Sequence, residues 1–503
     1  MASNAFDSII IGAGFSGLVA ARKLAQSGFN VLVIEARDRT GGRASTYSTA
    51  ECPPVDLGCS WIHGYAEGTP VRALVEELGI TAAINKPKRS ILLGPSGPVP
   101  QALSVKLFAN FQRATQVMKQ VASSLSYEDQ PISKHLFDAS SDLFKGLESD
   151  EERNLAIGLA RTMQVGMGIT LEEASLKWHS YEDNYAGTDA APKGGYESVT
   201  NALRDDLVRL GGLIRLSETV DSIRLDTPSG ITVTTTPSIT GSSSEIKNAA
   251  TYTASTCLST LPLGILQSLD LSKFFNPPLS VRLSASINRT KVGMLDKVYI
   301  RYPTSWWIQD SEEIGSFILL PTSTSDSSTV NPTTAKELLD TVTLVINTLP
   351  PTGAPSSASS EQAGPTQAGL VMYIPAPISS AFESFSQSEI KDAVHSILST
   401  RIPHDGSGPV PLPVGSVHTT WTTDKFSFGA TSTPTPYNTG QTPLDLNELG
   451  KPIWGGQLGF AGEHTDLNHR GSVAGAVISG QREGSRIAGF LAREQARKDQ
   501  IRS

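Results

Sequence analysis

Cysteine is scarce in this chain: Cys52, Cys59 and Cys257 are the three present among 503 residues. They are too few and too scattered for a disulfide framework or a zinc site, so no metal is expected. Basic excess is also missing. Lysine and arginine total 41 against 49 aspartates and glutamates, a net charge of −8. That balance argues against a nucleic-acid partner and is compatible with a cationic small molecule. No uninterrupted apolar run reaches bilayer-spanning length, and no apolar leader precedes the first apolar strand. The final Ile501-Arg502-Ser503 is not a peroxisomal tripeptide. An intracellular, cytoplasmic protein with reduced thiols and no membrane span is expected. At this length one hydrophobic core is exceeded, and two domains are the natural solution.

What the chain does have is glycine in register. Ser8 to Arg43 reads SIIIGAGFSGLVAARKLAQSGFNVLVIEARDRTGGR. The apolar strand Ile9 to Ile11 runs into Gly12-x-Gly14-x-x-Gly17, and an amphipathic helix then stops at Gly28. A second strand, Val31 to Ile34, delivers Glu35. Gly12 suits the tight turn, Gly14 admits a pyrophosphate to the backbone, and Gly17 lets the helix approach the strand. The helix N-terminus faces the phosphate charge, and Glu35 can accept hydrogen bonds from a ribose. Arg37, Gly41, Gly42 and Arg43 continue the motif. A second glycine pair with an arginine suits an extended FAD, whose pyrophosphate and ribityl chain return past this loop, and an arginine fork matches phosphate oxygens.

Further on, Val55 to His63 reads as a strand and turn, and Thr69 to Leu78 as a helix entered at Pro70. Helical periodicity covers Leu103 to Leu125, Glu151 to Gly166 and Tyr196 to Leu210. Strands are expected at Leu213 to Leu216, Val220 to Leu225 and Ile231 to Thr236, with a polar loop at Ser238 to Asn248. Thr256 to Leu269 begins as a strand, Lys297 to Tyr302 alternates like one, and Thr341 to Asn347 is another. The Ser/Thr/Pro-rich stretches Pro321 to Thr333 and Pro350 to Ala368 read as surface excursions. Ser386 to Ile397 reads as helix, and Gly459 to Leu491 as strand, loop and long helix. A nucleotide fold with parts at both chain ends implies a second domain inserted between them.

Separated blocks along the chain resemble the flavin-containing amine oxidases, and within them the polyamine oxidases. They are IIIGAGFSGLVAA, VIEARDRTGGR, DLGCSWIHG, GGYESVTNAL, STLPLGILQ, DKVYIRYPTSWW, WTTDKFSFGA and FAGEHTDLNHRGSVAGAVISGQREG. The resemblance implies an α/β, two-domain flavoprotein: a Rossmann-like FAD-binding domain and a substrate domain of mixed sheet flanked by helices. On that template the FAD domain takes residues 1–85, 201–296 and 416–503. The substrate domain takes 86–200, mainly helical, and 297–415, a mixed sheet.

The resemblance also implies the chemistry. Hydride leaves the carbon next to an uncharged amine for flavin N5, the imine hydrolyses to an aldehyde or ketone, and O2 becomes H2O2. Lys297 aligns with the family lysine that reaches N5 through water, and burial would lower its pKa. His63, in Gly58-Cys59-Ser60-Trp61-Ile62-His63-Gly64, matches the histidine of the polyamine-oxidase substrate tunnel and could favour a deprotonated amine. Implied FAD contacts also include Ser16, Gly58, Trp61, Val220 and Trp421, with Glu463 (after Gly462) against a ribityl hydroxyl. The helix opening at Val473 would aim its amides at the flavin pyrimidine ring.

Phe426 and Ser472 are expected beside the amine. Ser472 replaces a cage tyrosine and Ala474 a histidine, which loosens the likeness to spermine and spermidine oxidases. Ala430 stands where monoamine oxidases carry the flavin-linking cysteine, so FAD is expected to be non-covalent. Glu182 and Asp183, near Tyr181 and Tyr185, read equally as distal-ammonium ligands or an acidic turn.

The expected partners are a polyamine-like aliphatic amine and O2; the sequence leaves a homodimer open. Two alternatives stand beside this reading. One is monoamine-oxidase-type oxidation of a primary amine on a long or bulky scaffold. The other is a non-catalytic flavin-binding interaction protein. A histone-demethylase role is set aside at this stage, because neither a long antiparallel helical insertion nor an extra N-terminal domain is recognised.

Overall fold

The computed structural model describes residues 5–49, 52–84, 88–123, 128–179, 181–182, 185, 187–226, 230–238, 249–307, 314–322, 332–349, 368–404 and 408–502. The apolar runs Ile9–Ile11 and Val31–Ile34 are buried throughout, as strands covered on both faces must be. Ala5–Ile11 pairs in parallel with Val31–Ile34 on one side and Ala250–Ser259 on the other. Leu213–Arg215 extends the sheet past Val31–Ile34, and Leu458–Phe460 pairs with Ala250–Ser259. The antiparallel strands Gly230–Pro237 and Glu218–Asp226, then Phe275–Asn276, complete this eight-stranded sheet.

Helix Phe15–Gln26 follows the first strand and lies against the long C-terminal helix Val473–Arg502. A Cβ on Gly480 would sit 2.6 Å from the Ser16 carbonyl oxygen, so the two backbones meet directly. The chain ends thus close on each other around one core, which includes Leu18, Leu24, Val477 and Ile487.

A seven-stranded sheet forms the other half. Its order is Gly415–His418, Leu295–Tyr302, Ala368–Pro375, Leu344–Leu349, Ile314–Leu319, Arg89–Gly94 and Gly97–Pro98. In register, Lys297 lies opposite Tyr373, and Tyr373 opposite Val345. Helices Gln101–Ala122 and Asp150–Ala160 pack beside it over Leu107, Met118, Leu155 and Leu159.

Several sequence expectations need correction. The single helix expected over Glu151 to Gly166 is two, Asp150–Ala160 and Met163–Met167. The Thr162 hydroxyl bonds the Leu159 carbonyl at 2.7 Å, and the amides of Thr162, Gln164 and Val165 bond three residues back. That tight turn breaks the α-helical ladder. The Thr341 to Asn347 strand begins at Leu344 and runs to Leu349, because Thr341 closes the preceding helix Ala335–Asp340. That helix was missed although Thr334-x-x-Glu337 spells its capping box. Arg89–Gly94 also went unread as a strand. Most of the three polar stretches at 238–248, 321–333 and 350–368 lies outside the described residues. No helix among the described residues is long and apolar enough to cross a membrane.

Candidate active site

A cavity of about 900 Å³ is lined by residues from both sheets. Every sequence-expected site residue except Gly17 lines it. Gly17 acts from behind: a Cβ there would stand 2.0 Å from the Gly12 oxygen, and Gly12 itself has φ +100°. The helix Phe15–Gln26 starts at Gly14 with no side-chain cap, so its first amides remain directed toward the cavity end. Beside them, Glu35 is buried. Its carboxylate accepts the Ala13 amide at 2.7 Å and the Arg37 amide at 2.8 Å, and further lone pairs remain for ribose hydroxyls. Burial pushes its pKa up, and the two amides only partly oppose this.

Arg37 does not offer its fork to phosphate. It closes bidentately on Asp424 at 2.9 and 2.8 Å, bonds Ser427 at 2.8 Å, and covers the Phe426 ring at 5.3 Å. Phe426, expected beside the amine, is therefore sandwiched near the Glu35 end, with Lys425 also over its ring. Two cations of the protein thus already occupy the aromatic face expected to meet the amine.

Glu463 is likewise committed. It accepts Arg43 Nη1 at 2.9 Å, the Ser432 hydroxyl at 2.5 Å and the Gly471 amide at 2.7 Å. Burial raises its pKa, but Arg43, His464, Ser432 and Gly471 outweigh that and hold it at about 2, below the usual 4.5. Its ionisation therefore supports the fold above about pH 4.5, and that support is lost as pH falls toward 2. Glu463→Gln should lower stability at pH 7 by on the order of 3 kcal/mol, a gap that closes near pH 2. Thermal unfolding of both proteins across that range checks it; a gap independent of pH contradicts it.

Lys297 lines the same cavity. Its side chain is buried, and Nζ donates to the Asp56 carbonyl at 3.1 Å, the Ser60 hydroxyl at 2.6 Å and the Gly58 carbonyl. The Tyr373 ring lies 5.3 Å away. Burial pulls the pKa down to about 8, with Cys59 and Asp56 opposing. The strand fixes the lysine further. Asp296 accepts the Thr419 hydroxyl at 2.7 Å and the Trp421 amide at 3.1 Å, and Thr419 Oγ1 accepts the Lys297 amide at 2.9 Å. Lys297 and the cavity-lining Trp421 are thus positioned by one buried carboxyl. Burial, then the neighbouring Glu383, raises the Asp296 pKa well above the carboxylate range.

His63 lines the cavity from its rim. Its side chain is 66% exposed, with Nδ1 3.0 Å from Asp189 Oδ2, so it is not sealed within a tunnel. Ser472 lines the cavity too, but its hydroxyl is spent. It donates to the His469 carbonyl at 2.6 Å and accepts the Gly475 amide at 3.1 Å, capping the terminal helix. Ala474 faces a side cavity of about 70 Å³ shared with Trp61 and His63. Glu182 forms a bidentate pair with Arg470 at 2.7 and 3.0 Å, and Asp183 lies outside the described residues. Sequence reasoning missed Ser60, Asn347, Val345 and Tyr373. Alternation along Leu344–Leu349 and Ala368–Pro375 was the available signal.

The glycine-built phosphate turn, the ribose-ready Glu35 and a cavity of this volume fit a bound dinucleotide, and Lys297 lines the same cavity. Residues 15–488 match the family of flavin containing amine oxidoreductases, and the chain belongs to it. FAD is its cofactor, held without a covalent bond; Ala430 lines the cavity, and burial raises the Cys59 thiol pKa, keeping it protonated.

Among curated relatives, Lysine-specific histone demethylase 1 homolog 1 of Arabidopsis thaliana is 28% identical over 95% of this chain and 52% of its own length. Probable polyamine oxidase 4 of the same plant is 24% identical over 94% of this chain and 85% of its own. The chain spans about half or less of the first demethylase relatives it matches. Cyclohexylamine Oxidase from Brevibacterium oxydans IH-35A shares the fold: TM-score 0.67, 22% identity, 97% of this chain and 99% of that one.

Proposed function

We propose that this protein is an FAD-dependent amine oxidase acting on an aliphatic amine, with O2 as acceptor and H2O2 as product. The observation that carries the reading is Lys297, a buried cation in the wall of the cavity that fits the cofactor. When bound, FAD supplies the hydride acceptor for the carbon next to an uncharged nitrogen. Lys297 holds a proton at Nζ, against the Asp56 and Gly58 carbonyls and the Ser60 hydroxyl, where a modest pH change can release it. Trp421 and Trp61 wall the same cavity, while His63 stands at the rim with Nδ1 3.0 Å from Asp189. Cofactor contacts are assigned to Gly12, Gly14, Ser16, Glu35, Gly42, Arg43, Gly58, Val220, Gly462 and Val473, with Gly17 shaping the turn.

The names of the relatives span polyamines, histone lysine and cyclohexylamine. Their common denominator is an aliphatic C–N bond, and the polyamine-like substrate expected from the Gly58–Gly64 block is one case of it. The five-segment domain partition belongs to this proposal, supported by the origin of each sheet's strands. So does an intracellular location, for which the three free cysteines argue. The test is H2O2 release by the purified holoprotein over a panel of amines. Peroxide equal to amine consumed supports the oxidase; a flavin-bearing protein that releases none with any amine favours the interaction-protein alternative.

A further inference from the structure

Carboxylates are unevenly distributed around the cavity. Those lining it are Glu35, Glu218 and Glu463, all on the first sheet or the loops that follow its strands. Each has protein partners: Glu35 the amides of Ala13 and Arg37, Glu218 the Tyr252 hydroxyl at 3.0 Å, and Glu463 Arg43. The wall contributed by the second sheet and its flanking helix is Val165, Gly166, Val345, Asn347 and Tyr373, next to Lys297. Among the described residues it carries no carboxylate.

Its polar pair is oriented as well. Asn347 Nδ2 donates to the Tyr373 oxygen at 3.3 Å. With Asn347 as donor, the hydroxyl retains its own hydrogen to donate. An uncharged nitrogen can accept that hydrogen, whereas an ammonium has no lone pair to do so. A second ammonium lodged here would lose water, find no counter-ion among the described residues of this wall, and share the space with Lys297.

Resting on the amine-oxidase reading, we infer that the substrate is a monoamine with an apolar body, and that the Val165–Val345–Asn347–Tyr373 wall excludes diamines and polyamines. The specificity lies in the far end of the substrate, not in the reacting carbon.

The test compares hexylamine with 1,5-diaminopentane, which has the same number of heavy atoms but an ammonium where hexylamine has its terminal methyl. Spermidine is the third substrate. With the native holoprotein under anaerobic conditions, hexylamine should bleach the flavin with a second-order rate constant at least about a hundredfold above the other two. Val345→Asp, checked for full flavin content, should narrow that ratio at least about tenfold, with Val165→Glu as second variant should the first lose its flavin. Diamine or spermidine turnover equal to or faster than hexylamine overturns the inference alone and leaves the oxidase reading standing. Flavin that no amine bleaches overturns both.

Discussion

Replacing Lys297 with methionine is expected to slow flavin reduction or its reoxidation by at least about tenfold, and by about a hundredfold where the lysine handles a proton directly. Methionine nearly matches the side chain in length and apolar stem but removes the charge and all three donors. The carbonyls of Asp56 and Gly58 and the Ser60 hydroxyl lose their shared partner. Some loosening of the 56–60 loop is therefore expected alongside the kinetic defect. Flavin content separates the two effects, since Gly58 of that loop is itself an assigned cofactor contact. A stopped-flow record of both half-reactions, on protein with full flavin content, gives the answer. Unchanged rates in both would remove Lys297 from the chemistry. The pH profile adds a second readout: an ionisation near pH 8 in the native rate, absent from the variant, is the signature of the lowered lysine pKa.

Gly17→Ala should yield protein that purifies without FAD. The added Cβ would lie 2.0 Å from the Gly12 oxygen and 3.2 Å from Thr260 Oγ1. The first of these is backbone, so no rotamer change relieves it. Strand and helix must part at the turn that receives the pyrophosphate, and overpacking of this kind typically costs about 1–3 kcal/mol. The loss falls on the segment whose geometry the cofactor reads. Gly408→Ala is the control, because a Cβ there meets nothing within 4 Å. It should keep the yellow colour and the melting temperature of the native protein. A fully flavinylated Gly17→Ala protein would contradict the assigned role of the turn.

The nucleotide half was legible in the sequence because its signals are local. Gly12, Gly14, Gly17 and Glu35 lie within one β-α-β unit, where spacing alone specifies the contacts. Residues whose contacts depend on distant partners were harder to read. Arg37 could not be seen to spend itself on Asp424, 387 positions away, nor Phe426 to lie under it. Ser472 was read by what it replaces, whereas its position before a helix makes it a cap. The Asn347–Tyr373 wall was invisible for the same reason. It depends on the pairing of Leu344–Leu349 with Ala368–Pro375, two strands separated by a long polar stretch. Lys297 was identified by its block, but its acceptors in the 56–60 loop come from a segment some 240 residues earlier.

The most direct measurement is an anaerobic titration of the yellow holoprotein with a primary alkylamine, followed at the flavin absorption band. Full bleaching, with the colour restored on admitting air and one equivalent of peroxide formed, is the result expected of a buried lysine set beside an amine-oxidising flavin. A spectrum that no amine alters would contradict it.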